Sequence, residues 1–100
     1  MVELAMTTAL FTHPVCIEHD PGSGHPESPG RLKSIMDALS VDEFDVLDRR
    51  EAPLSDLAPI KAVHQIELVD LILENIPETG QAFLDPDTAL SPKSGEAALR

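Results

Sequence analysis

Apolar residues change their spacing several times along the chain, and each change marks an element. Residues 7–13, TTALFTH, are apolar and β-branched and are closed by Pro14, which predicts a short buried strand. Beyond a Gly- and Pro-rich stretch, Leu32, Ile35, Met36 and Leu39 recur at i, i+3, i+4 and i+7, one face of a helix. Ser28 stands where an N-cap is expected, and Pro29 occupies the first helical position, where its missing N–H costs nothing. Apolar Phe44 and Val46 alternate with polar residues and predict a second short strand within residues 44–53, ended by Pro53. Ser55 or Asp56 caps a short helix around Pro59. Ile66, Val69, Ile72, Leu73 and Ile76 then keep a helical period until Pro77 stops it. Residues 78–92 hold no period and are punctuated by Gly80, Pro86 and Pro92, which predicts a loop. Ser94 as N-cap opens a last helix that reaches Arg100 with no stop signal, so the expectation is an unfinished helix in a truncated chain.

Strand and helix in alternation predict an α/β fold. One hundred residues make a single small unit by length, and with three Phe, no Trp and no Tyr its core must be aliphatic and thin. Charge narrows the partners. Eighteen acidic residues against seven basic ones give a net charge of −11, which repels phosphate backbones and argues against nucleic acid while favouring cations. The single cysteine, Cys16, forms no internal disulfide and fits a reducing compartment. No apolar run approaches the roughly 18 residues of a membrane span, and the first residues lack a basic region and a cleavage site. The expectation is a cytoplasmic protein with no membrane partner. Met6 is as good a start as Met1.

Chemistry concentrates in CIEHDPGSGHPESPGRL, residues 16–32. His13, Cys16, His19 and His25 are all competent zinc donors, but their spacing fits no common structural zinc pattern, and hydrogen bonding to the backbone is the simpler role. PGSGHP is not a phosphate loop, because no Lys-Ser or Lys-Thr follows it. A Cys16–His19 nucleophile pair lacks an orienting third group. Arg31 on the first turn of a helix reads as a solvated or Asp-paired surface cation, Asp87 before Thr88 as an Asx turn, and His64 as a packed histidine capping a helix junction.

Two stretches taken together change this balance. HDPGSGHPESPGRLKSIMDAL and LDPDTALSPKSGEAALR resemble two signature segments of the histone deacetylase superfamily, nearest to its bacterial class-II-like branch of acetoin-utilisation proteins and acetylpolyamine amidohydrolases. LAPIKAVHQIELVDLI between them is similar to that family's helix pair, with Leu68 where the family usually has Tyr. The resemblance runs from about Ala9 to Arg100 in the family's order. It implies that residues 1–100 are the N-terminal part of an arginase/deacetylase-like open parallel-sheet sandwich. It also implies a zinc-dependent hydrolase of acetyl amides, acting on acetylated lysine in proteins or on acetylated polyamines. Carried onto these positions, His25 lies towards the rim of a substrate tunnel, and Pro26 and Glu27 fix its loop. Arg31 lies beside the channel that releases acetate, and Asp87 holds the substrate backbone at the mouth, with Asp85 the weaker candidate. A carboxylate there accepts charge-assisted N–H bonds.

The family's paired catalytic histidines, its zinc-binding Asp-x-His and second Asp, and its tyrosine have no counterpart here. A zinc-bound water needs three protein ligands and a base. The expectation is therefore that these residues supply tunnel loops, with zinc ligands in further sequence, and that alone they are inactive. The alternative is a small acidic binding or scaffold module derived from the same fold.

Overall fold

The computed structural model describes residues 6–100, so the choice of Met1 as the start lies outside the described residues. The chain is mixed α/β. Strand β1 (Ala9–Thr12) leads through a 3-10 turn (Pro14–Glu18) and the long loop to helix α1 (Pro29–Ala38). A second 3-10 turn (Asp42–Phe44) precedes β2 (Asp48–Glu51). Helices α2 (Leu57–Val63) and α3 (Ile66–Glu74) follow, then β3 (Ala82–Asp85), β4 (Thr88–Leu90) and α4 (Ser94–Leu99). β1 and β2 pair in parallel, Ala9 opposite Asp48 through Thr12 opposite Glu51, and β3 and β4 form an antiparallel hairpin.

Periodicity located the helices. α1 starts at Pro29, although the Ser28 side chain makes no capping bond. Pro59 falls in the first turn of α2, where its missing N–H breaks no helical bond. Lys61 of α2 reaches Asp70 of α3 at 3.8 Å. In α4, Lys93 rather than Ser94 occupies the cap position, and Ser94 begins the helix itself.

The strands depart further from the pattern. The alternating Phe44 and Val46 lie before β2, in the turn and its exit, and the strand itself is the charged run Asp-Arg-Arg-Glu. Backbone pairing places it: Asp48 N–H donates to the Thr8 carbonyl at 3.0 Å and Ala52 N–H to the Thr12 carbonyl at 2.8 Å. A strand held by its ladder tolerates charged side chains where they meet water. Residues 78–92 are not a featureless loop. Pro86 stands at the turn between β3 and β4, a place where its fixed φ favours reversal, and strands of four and three residues are too short to display a period.

The buried apolar residues are few and small: Val15, Ala52, Val69, Ala89 and Leu90. The 3-10 turn, α3, β4 and α4 meet around Leu90, while Ala52 lies just past β2, where its carbonyl accepts from Arg100. Gly95 lets α4 approach α3's end so closely that an added Cβ would stand 3.1 Å from Ile76 Cγ1. Elsewhere the predicted apolar faces exist but are uncovered. Phe11 is 54% exposed, Phe83 65% and Val63 80%, and α1 buries none of its residues. On α3, Val69 is buried while Leu68 and Leu71 face outward. The apolar side of α3 is thus only partly covered. The radius of gyration is 16.7 Å, against about 13 Å for a compact domain of this length. A parallel sheet of two strands cannot cover either face by itself.

The isolated 100-residue chain is therefore expected to bind a hydrophobic dye strongly and to melt without a cooperative calorimetric transition. A sharp transition with no dye binding would instead identify a self-sufficient module.

Candidate functional site

The Gly- and Pro-rich loop is ordered by its own side chains. His13 at the end of β1 turns its Nδ1 onto the Val15 N–H at 3.0 Å and so starts the 3-10 turn. Asp20 Oδ1 accepts the Gly22 N–H at 3.0 Å, and Gly22 lies at φ +114°, a conformation that L side chains rarely adopt. His25 Nδ1 accepts the Glu27 N–H at 3.1 Å. These local bonds compete with regular structure and explain why so polar a stretch holds one shape.

Four longer bonds then join this loop to the hairpin and α4. His25 Nε2 donates to the Asp87 carbonyl at 2.9 Å, across 62 positions of sequence. His19 Nδ1 lies 2.6 Å from Ser94 Oγ. Asp20 N–H donates to Ser91 Oγ at 2.9 Å, and that hydroxyl donates in turn to the Glu18 carbonyl at 3.4 Å. Ser91 and Ser94 are both buried, and Ser91 N–H donates to Ser94 Oγ at 2.7 Å. Two segments far apart in sequence thus share one polar seam.

Arg31 lies on the first turn of α1, exposed, and makes no ion pair among the described residues. It lines a cleft of about 240 Å³ together with Cys16, His19, Glu27, Leu32 and Ile35. A guanidinium beside a half-apolar hollow suits a small carboxylate. Asp87 does not line this cleft. It sits at the turn of the hairpin, exposed, joined to the loop by its carbonyl, and its carboxylate has no partner among the described residues. The Asx turn belongs to Asp85, whose Oδ1 accepts the Asp87 N–H at 2.8 Å. That bond, with a second from the Thr88 hydroxyl, holds the Asp85 carboxyl below the usual carboxylate range. Asp85 is spent on the turn and Asp87 is free.

The zinc-competent residues are dispersed rather than gathered. His13 faces Glu51, His19 lies between Ser94 and Glu27, and His25 spans Glu27 and Asp87. Among the described residues no three of His, Cys, Asp and Glu come together as metal ligands. His64 is the C-cap of α2, but it is exposed at the rim of an apolar hollow with Ile60, Val69, Ile72 and Leu73 rather than packed. Among the described residues no helix is long and apolar enough to cross a membrane.

Sequence reasoning missed Ser91 and Ser94 as the seam. Their spacing, Ser-Pro-Lys-Ser, reads as a helix start, and their burial is a tertiary fact. No family model matches the chain, and no curated protein matches it either.

Because the folded Asp85 carboxyl is depressed, its contribution to the turn is fully present above the ordinary value of about 3.9 and is lost as pH falls through the lower folded value. Hydrogen-exchange protection of the Asp87 amide should stay constant from neutral pH down to about 4 and decline only below it. Asp85→Asn should abolish that dependence. Protection that declines already near neutrality would contradict the assignment.

Proposed function

We propose that this chain is the N-terminal part of a zinc-dependent amidohydrolase of the histone deacetylase superfamily, acting on acetylated lysine or acetylated polyamines. The reading rests on the resemblance of the two loop segments. The observation that supports it best is their meeting: the His25–Asp87 bond and the His19–Ser94 contact join the same two stretches that carry the resemblance. The uncovered faces of β1, α1 and α3 are in keeping with a share of a larger arginase-like α/β sandwich.

The residues present do not fit the metal. Both nitrogens of His19 and of His25 face partners within the fold, and no ligand trio forms among the described residues. Zinc ligands belong, in this reading, to further sequence. The chain's own work is binding. The Asp87 carboxylate accepts N–H bonds from the substrate flanking the acetyl-lysine. His25 sets the height of that carboxylate by holding its backbone. Arg31 offers a positive charge to the departing acetate in the cleft beside it. The acidic surface adds a general attraction for amine-bearing substrates.

The test uses the full-length protein with zinc and an acetyl-lysine peptide or an acetylated polyamine. Hydrolysis is expected, with Asp87→Ala lowering kcat/KM by about 1–3 kcal/mol, roughly 5- to 150-fold, through a lost charged hydrogen bond. Unchanged kinetics would remove Asp87 from the site. No hydrolysis of either substrate class by the zinc-loaded protein would overturn the whole reading.

A further inference from the structure

The seam contains a serine, a histidine and a glutamate in one line. Ser94 Oγ stands 2.6 Å from His19 Nδ1, and His19 Nε2 stands 3.4 Å from Glu27 Oε1. The order resembles a nucleophile relay, but Ser94 cannot serve as a nucleophile. It is 4% exposed, and its oxygen already accepts the Ser91 N–H at 2.7 Å with Ser91 Oγ a further 3.1 Å away. A hydroxyl so enclosed has no open approach for an acyl carbon.

The protons can be followed through the group. Ser91 Oγ accepts the Asp20 N–H and donates to the Glu18 carbonyl. The Ser94 hydroxyl hydrogen then has two acceptors in reach, His19 Nδ1 and the more distant Ser91 Oγ. If it went to Ser91, Nδ1 would be the donor across 2.6 Å, shorter than the roughly 2.7–3.2 Å of N–H···O bonds. If it goes to Nδ1, the contact is that of an O–H donor, whose bonds are shorter, and the proton of a neutral ring sits on Nε2, on the side of Glu27. The short distance selects the second arrangement for the neutral ring.

We propose that His19 is a positioning residue, held as the Nε2–H tautomer, that locks the Gly- and Pro-rich loop onto the β4–α4 corner. Its ring forms a wall common to the Arg31 cleft and to a hollow of about 350 Å³ lined by Ile72, Leu90, Ser94, Ala97 and Ala98. Loss of the lock frees the loop, so that both hollows change shape together. This assignment needs no deacetylase activity and stands or falls apart from it.

The test is nitrogen NMR of the full-length protein labelled in its histidine rings, at about pH 8, where an ordinary imidazole is neutral. The His19 signal, assigned by its loss in His19→Asn, is expected to show a bare Nδ1 and a protonated Nε2. The reverse pattern, or an equal mixture, overturns the tautomer. A second measurement covers the lock. His19→Asn keeps an acceptor near the Nδ1 position and should leave exchange of the Asp20 amide close to that of the parent. His19→Leu, which keeps bulk alone, should speed that exchange by about tenfold or more. Equal exchange in the two variants would show that ring volume, not the hydrogen bond, holds the loop.

Discussion

The buried hydroxyls of Ser91 and Ser94 are the constraint on which the arrangement depends. A polar group taken out of water must find partners or cost about 1–3 kcal/mol, and these two find theirs in the distant loop and in each other. Ser91 takes the Asp20 N–H, Ser94 meets His19, and the Ser91 N–H closes the circuit on Ser94. The loop is rich in Gly and Pro and buries little besides Pro21, so apolar packing alone would hold it weakly. Satisfying the hydroxyls fixes it instead.

From that fixed point the outer residues follow. His25 lies six residues beyond His19 and reaches the hairpin turn, where its Nε2–H meets the Asp87 carbonyl. The turn keeps its form through Asp85, which leaves the Asp87 carboxylate with no internal task. Arg31 lies in the first turn of α1, just after the loop, and lines a cleft with His19 that Asp87 does not reach. The cation and the carboxylate are thus set apart, Arg31 at a cleft and Asp87 exposed at the hairpin turn.

The helices were legible in the sequence because their signal is local. A period of 3.6 in Leu32, Ile35, Met36 and Leu39, or in Ile66, Val69, Ile72 and Leu73, needs no knowledge of the rest of the molecule. Strand β2 was not legible residue by residue, since Asp48–Glu51 is a strand by virtue of the backbone of β1 beside it. The hairpin escaped because Pro86 punctuates a turn and a loop alike. In the site, His25 and Asp87 could be singled out by their segments, whereas the roles of His19, Ser91 and Ser94 are created by burial and by contacts more than 70 residues apart.

At the centre of the arrangement is an energetic coupling between His19 and Ser94. A double-mutant cycle on the full-length protein, with His19→Ala, Ser94→Ala and the pair, measures it by chemical denaturation. The account predicts that the double variant loses less stability than the two singles summed, by about 1 kcal/mol or more. Strict additivity would mean that the 2.6 Å contact carries no energy and that something else holds the loop in place.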